Sequence, residues 1–257
     1  MKTDIYIPRI NGHTVVLGGS GGIGSEAVKA LLALGAPKIS MSYSGNKGRA
    51  DELVANLTKE GYKVAAFHLK ELGNPDELNR FLDQAVAWAG EEVSVALNTI
   101  GISPNTEIEE QTPEEWKKVY DVNATGNFFA LRTMALRMRK HKIKGAIVTL
   151  SSDNARLSWS PISAHYDSSK AACELNVKHL AYHFAKDGIR VNAIAPGWTN
   201  TPMNNTLPED ERRDVTSRIW MGRFAEPAEV ASVIALLASS ATTFVTGQVW
   251  DVNGGFR

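Results

Sequence analysis

Short apolar runs alternate with longer stretches in which apolar residues recur every three or four positions. Thr14-Val15-Val16-Leu17 is the first such run and predicts a buried strand. It leads straight into Gly18-Gly19-Ser20-Gly21-Gly22-Ile23-Gly24. Beyond that turn Ile23, Ala27, Ala30, Leu31 and Leu34 keep helical spacing, Gly35 closes the helix, and Pro37 prevents its resumption. The same alternation predicts further strands over 39–43, 63–69, 93–97, 146–150, 189–194 and 247–252. It predicts further helices over 50–60, 75–89, 164–185 and 226–238. Strand, crossover helix and strand in repeated order imply a parallel sheet with helices on its faces.

Two stretches depart from this rhythm. A long helix starts at Thr112-Pro113-Glu114-Glu115, with Thr112 as N-cap and Glu115 completing a capping box. It runs toward Arg137, with a break near Gly126, and carries Asn123 inside it, where an asparagine is unfavourable by propensity and so hints at a task. Residues 198–224 are polar and irregular. That is long for a plain connection and predicts a substrate lid. No repeat, low-complexity tract or linker interrupts the chain, so 1–257 reads as one domain.

Composition narrows the function classes. The 257 residues are 43% hydrophobic, enough for one large core. Lys plus Arg number 28 and Asp plus Glu number 28, a balance that argues against a nucleic-acid binder. Cys173 is the single cysteine, which rules out an intrachain disulfide, and it reads as a small buried residue. The N-terminal residues have no basic start followed by an apolar stretch, and no apolar run reaches membrane-spanning length. The expectation is a cytoplasmic protein with neither a membrane span nor a metal site.

The candidate chemistry gathers at strand ends. A glycine-rich turn between strand and helix lets backbone approach a pyrophosphate at the helix N-terminus. After the second strand stand Tyr43 and Ser44, where an NAD-binding chain would place an acid; Asn46, Lys47 and Arg49 follow and suit a 2′-phosphate. The fourth strand runs out into Asn98-Thr99-Ile100-Gly101, and Ser151-Ser152 stand at the end of the fifth. Tyr166 and Lys170 lie four apart on one helical face, and a phenol beside an ammonium exchanges its proton with a carbonyl-level oxygen more readily. Arg137-Met138-Arg139-Lys140-His141-Lys142-Ile143-Lys144 is a basic stretch, read as a solvated helix end or as a surface for an acidic carrier.

Taken in order, these motifs resemble the classical short-chain dehydrogenase/reductase family over nearly the whole chain. The resemblance includes 3-oxoacyl carrier-protein reductases and, in the 14-residue spacing from Ser152 to Tyr166, polyhydroxynaphthalene-type ketone reductases. It implies a single-domain Rossmann fold: an α/β, doubly wound parallel sheet of about seven strands with helices on both faces. It implies a catalytic set of Asn123, Ser152, Tyr166 and Lys170. For the cofactor it implies Gly18, Ser20, Gly22, Ile23 and Gly24 in the turn. It adds Tyr43, Ser44, Asn46, Lys47, His68 and Leu69 around the adenosine, and Asn98, Gly101, Tyr166, Lys170, Pro196, Gly197, Thr199 and Thr201 toward the nicotinamide. Ser152, Trp159, Trp198, Met203 and Trp220 are the expected substrate contacts. Leu17, Thr99-Ile100 and His68-Leu69 depart from the family pattern, and none of these changes removes a catalytic group.

The activity so implied is NADP(H)-dependent hydride transfer between nicotinamide and a ketone or secondary alcohol, the favoured substrate being a neutral hydrophobic or cyclic ketone. The alternatives are a 3-oxoacyl thioester, with a carrier protein docking on the basic stretch, and a sugar or polyol. The family also implies a homodimer or homotetramer, built on the Asn123 and Tyr166 helices with Phe128, Phe129, Leu131, Leu175 and Leu180.

Overall fold

A computed structural model describes residues 7–157, 161–202, 204 and 207–256. In the N-terminal part, β1 (His13–Leu17), β2 (Lys38–Tyr43), β3 (Val64–His68) and β4 (Val93–Asn98) alternate with α1 (Gly22–Ala33), α2 (Lys47–Lys59) and α3 (Pro75–Ala89). There follow α4 (Pro113–Tyr120), a π-helical segment Asp121–Gly126, α5 (Asn127–Lys140), β5 (Ala146–Leu150), α6 (Ala164–Phe184) and β6 (Arg190–Pro196). The chain continues through α7 (Glu209–Arg218), α8 (Pro227–Ala238) and β7 (Val249–Val252).

All seven strands pair in parallel, in the order β3-β2-β1-β4-β5-β6-β7. The order reverses between β1 and β4, and ligands of such sheets bind outside the carboxyl ends at that reversal. Every residue of β1 is buried, because helices cover both faces; this is why the strand reads as an apolar run rather than an alternation. One face packs on α3, α5 and α6 through Phe81, Leu82, Leu131, Met134 and Phe184. The other packs on α1, α2 and α8 through Leu31, Leu57, Val230 and Ile234, and there α1 lies against α8. Arg190, at the start of β6, donates to the carbonyls of Leu237 and Ser239 at 2.8 and 3.0 Å, satisfying the open end of α8.

The structure sharpens the element assignments in three places. The break near Gly126 is a six-residue π-helix that contains Asn123. Thr112 does cap α4, accepting from Glu115 N at 3.2 Å, but the Glu115 carboxylate does not close a capping box. It accepts from Thr106 Oγ1 at 2.8 Å and faces His165 Nε2 at 3.4 Å. The stretch read as irregular contains α7, whose charged sequence buries only Val215 and so carries a faint periodic signal. Among the described residues no helix is long and apolar enough to cross a membrane.

Candidate active site

The turn after β1 has the shape of a phosphate cradle. Gly18 has φ +79°, and a Cβ there would fall 2.8 Å from Thr99 Oγ1. A Cβ on Gly24 would fall 2.2 Å from the Gly18 carbonyl oxygen, so the first turn of α1 lies directly on the loop and only glycine fits. Gly18 N–H donates to Ser42 Oγ at 2.9 Å, and Thr99 Oγ1 donates to the Leu17 carbonyl at 2.8 Å. Hydroxyls from β2 and from the segment after β4 thus brace the turn where Leu17 has none to give. The N-cap of α1, Gly21, offers no side-chain acceptor, which leaves the first-turn N–H groups for an anion. Thr201 closes over this turn, with its Cγ2 3.1 Å from where a Cβ on Gly22 would lie.

At the ends of β2 and β3 the Tyr43 and His68 rings sit 5.5 Å apart, and His68 Nε2 lies 3.1 Å from the Ser44 carbonyl oxygen. Asn46 caps α2, accepting from Arg49 N at 2.9 Å. Lys47 Nζ pairs with Asp51 at 2.6 Å in an exposed i,i+4 contact, and that hydrogen bond raises its pKa. Leu69 is buried, so its part is to pack the edge of this site.

A buried amide network joins β4 to the helices. Asn98 Nδ2 donates to Asn127 Oδ1 at 2.7 Å, and Thr149 Oγ1 donates to the same oxygen at 2.8 Å. Asn98 Oδ1 accepts from Ile100 N at 3.1 Å, turning the chain toward Gly101. Asn127 escaped the sequence reading, since one buried asparagine in a helix leaves no periodic trace.

Asn123 is 1% exposed, with its amide spent on position. Oδ1 accepts from Ile102 N at 2.9 Å, while Nδ2 donates to Ile102 O at 2.8 Å and to Ser169 Oγ at 3.1 Å. The π turn rotates this side chain out of helical register toward α6, a use such segments often have. Cys173 is fully buried; its thiol donates to the Asn123 carbonyl at 2.7 Å, and burial pushes its pKa up, which leaves it inert.

Lys170 and Tyr166 share the inward face of α6, with Nζ 5.6 Å from the Tyr166 ring centroid. Lys170 is 4% exposed and donates to the Leu150 carbonyl at 2.9 Å. A Cβ on Gly101 would meet Lys170 Nζ at 3.2 Å and Asn123 Oδ1 at 3.4 Å. Gly101 is therefore the space in which the amide, the ammonium and the end of β4 converge. Ser152, at the end of β5, accepts from Asn154 N at 3.3 Å and lies 3.5 Å from Asp153 Oδ1.

Pro196 ends β6, and Gly197 N donates to the Val252 carbonyl at 3.1 Å. Thr199 Oγ1 donates back to Gly197 O at 3.0 Å. Trp198 packs on Phe224, with centroids 5.5 Å apart, in a small cluster with Val215, Ile219 and Phe256. Trp220 lies against Gly255, where a Cβ would meet its ring at 2.4 Å. These two tryptophans pack within the segment after β6 and against the C-terminal turn. Trp159 and Met203 fall outside the described residues. Among the described residues no cluster of His, Cys, Asp or Glu is arranged to hold a metal ion.

Comparison with known proteins agrees with this geometry. A family model described as enoyl-(acyl carrier protein) reductase matches residues 18–257. The 3-oxoacyl-[acyl-carrier-protein] reductase FabG of Staphylococcus epidermidis is 30% identical over 246 residues, covering 96% of this chain and 99% of that protein. The 3beta-hydroxysteroid dehydrogenase 1 of Eggerthella lenta is 34% identical over 249 residues, covering 96% and 94%. Among solved structures, a short-chain dehydrogenase/reductase from Serratia marcescens superposes with TM-score 0.89 at 28% identity, covering 97% and 99%. A 3-oxoacyl-[acyl-carrier protein] reductase from Brucella melitensis gives 0.86 at 30% identity, covering 96% and 92%.

Proposed function

The chain belongs to the classical short-chain dehydrogenase/reductase family, and we propose that it interconverts a ketone and a secondary alcohol with NADP(H). The observation that carries this reading is the convergence at Gly101 of Lys170 Nζ and Asn123 Oδ1, with Tyr166 on the same face of α6. The nicotinamide supplies the hydride. The glycine turn fits its pyrophosphate, because Gly18 and Gly24 leave no room for side chains and α1 opens with uncapped N–H groups.

Tyr166 gives a proton to the substrate oxygen in reduction and takes it back in oxidation. Ser152 holds that oxygen through its hydroxyl. Lys170 keeps positive charge beside the phenol and reaches toward the ribose. Asn123 holds the segment at Ile102 and, through it, the floor of the site. The preference for NADP(H) rests on Tyr43 and Ser44 standing where an acid would hold the ribose diol. The Lys47–Asp51 pair is exposed on both sides and of little worth to stability, so a phosphate can recruit Lys47 at small cost.

The substrate we favour is a neutral hydrophobic or cyclic ketone, in keeping with the steroid dehydrogenase among the relatives. A 3-oxoacyl thioester is the second reading, favoured by the names of other relatives. The basic stretch gives it little support. Arg137 is paired with Asp83 and Glu92, and Arg139 with Asp187. α5 also ends where β5 begins, so the stretch lies a full strand away from Ser152. For assembly we propose a homodimer or homotetramer through α5 and α6. Of the five residues expected there, Leu131 and Leu180 belong to the monomer core, Phe128 packs against it with Phe129 at its side, and Leu175 is exposed, joined on these helices by Leu136 and Tyr182.

NADPH oxidation across cyclic ketones, aromatic ketones, acetoacetyl-CoA and sugars tests the reading. Turnover of a cyclic or aromatic ketone supports the first choice, and turnover restricted to acetoacetyl-CoA establishes the second. No turnover with any of them, by a protein that still binds NADPH, rejects both.

A further inference from the structure

Asp153 follows Ser152 directly, and none of the chemistry above uses it. It is 4% exposed, at the junction of three strand ends. Its Oδ2 takes no hydrogen bond of good geometry, although the Asn253 side chain lies beside the carboxyl. A Cβ on Gly197, after β6, would lie 3.0 Å from that oxygen and 2.7 Å from Asn253 Cβ, after β7. The carboxyl is thus wedged under the site. Its Oδ1 lies 3.5 Å from Ser152 Oγ, which already accepts from Asn154 N at 3.3 Å. The serine has one proton to give, and the acceptor within reach is this carboxylate.

We propose that Asp153 is a pH-dependent brake, its ionised carboxylate competing with the substrate oxygen for the Ser152 hydroxyl proton. The inference rests on the role proposed for Ser152. At 3.5 Å the separation is longer than a settled O–H···O bond, so the hydroxyl is held loosely between this carboxylate and any other acceptor. Once protonated, Asp153 is a poor acceptor, and the serine hydroxyl turns to the substrate. No bond to carbon changes in this step; a hydrogen bond changes partner.

Among the described residues, the charged groups near Asp153 have partners of their own. Arg156, in the same loop, binds Glu174 of α6 at 3.2 Å and Asp251 of β7 at 3.1 Å. Asp167 of α6 accepts from Asn154 Nδ2 at 2.9 Å and Ser163 Oγ at 3.1 Å, and Lys170 is turned to Leu150. Burial, joined by the charge of Asp251, pushes the Asp153 carboxyl up to about 6, although the Asn154 N–H and the Asn253 side chain favour ionisation. Burial also raises Asp167, so the variants must separate the two carboxyls.

The test measures kcat from pH 5 to 8 at saturating NADPH, with the fastest member of the panel above. Wild type, Asp153→Asn, Asp153→Ser, Asp167→Asn and Ser152→Ala are compared, after circular dichroism has confirmed their folds. Wild-type reduction should slow as pH rises through about 6. Asp153→Asn and Asp153→Ser should lose that inflection and exceed wild type at pH 7 by up to about tenfold. Asp167→Asn should keep the inflection. A wild-type profile in both Asp153 variants, or its loss in Asp167→Asn alone, overturns the brake. Full activity of Ser152→Ala overturns instead the role of the serine. Should neither Asp153 variant fold, the ¹³C-carboxyl resonance of Asp153 in the intact protein must titrate together with kcat, and a mismatch overturns the proposal.

Discussion

Lys170 Nζ donates to the Leu150 carbonyl oxygen at 2.9 Å, which ties the helix bearing Tyr166 to the end of β5. One of the three ammonium donors is thereby committed to the sheet, leaving two for the phenol and a ribose. Lys170→Met should lower kcat and raise KM for the cofactor together, because both remaining donors go. Lys170→Arg should not restore activity: a planar guanidinium does not fit a buried site flanked by Gly101. Steady-state kinetics with varied cofactor separates the two losses, and an unchanged cofactor KM in Lys170→Met would contradict the ribose role.

Tyr166→Phe removes a proton donor and leaves the ring. We expect kcat to fall ~10²–10⁴-fold, with nucleotide affinity by fluorescence titration close to wild type. Near-normal turnover would assign the proton to another group.

Asn123→Ala strips hydrogen bonds from both backbone groups of Ile102 and from Ser169. The cost in stability should be about 1–3 kcal/mol, since those groups stay partly buried without partners. Urea denaturation measures it. Asn123→Asp sets a carboxylate oxygen against the Ile102 carbonyl in place of a donor, so it should be no more stable than alanine at neutral pH.

Tyr43→Asp places an acid where the ribose diol would lie, and should shift the ratio of kcat/KM toward NAD(H). Lys47→Ala should weaken NADPH binding while leaving NADH binding near its starting value. Equal losses for both cofactors would remove the 2′-phosphate from the contacts of Lys47.

The Asp153 carboxyl also makes stability depend on pH. Its folded pKa is about 6 against an ordinary 3.8, so the unfolded chain releases this proton first as pH rises. The contribution of this carboxyl to stability is therefore fully present below about pH 4, is lost between about 4 and 6, and stays absent above. The loss is ~3 kcal/mol by linkage. Asp153→Asn should flatten that window in urea titrations and be the more stable protein at pH 7.

The alternation of apolar runs with helical periods made the sheet legible, because a strand buried on both faces is mostly apolar, and the few polar residues in it, such as Ser42 and Thr149, find partners inside. Gly18, Gly24, Ser152, Tyr166 and Lys170 could be singled out as candidates because the proposed chemistry asks for those residue types at fixed places in that alternation. The rest depends on contacts across the fold. Nothing near Leu17 in the chain announces that Ser42 and Thr99 brace the turn. The Glu115 side chain leaves its own helix terminus for Thr106 and faces His165, a tertiary choice that overrides a local capping pattern. Trp198, expected at the substrate site, also packs on Phe224 in a cluster with Val215 and Ile219 of the segment after β6, a contact that no local pattern announces. Asp153 left no signal, since one acid among loop residues reads as solvated until its burial is seen.

The packing of α1 against α8 joins the first helix to the last one, across nearly the whole chain. During synthesis Leu31 and Leu32 emerge long before the residues that cover them, Val230 and Ile234. The packing that seats α1, and with it the glycine turn, is therefore complete only once α8 has joined it. Until then the nascent chain carries an apolar helix face without a partner, the kind of surface on which parallel-sheet proteins fold slowly and come to depend on chaperones.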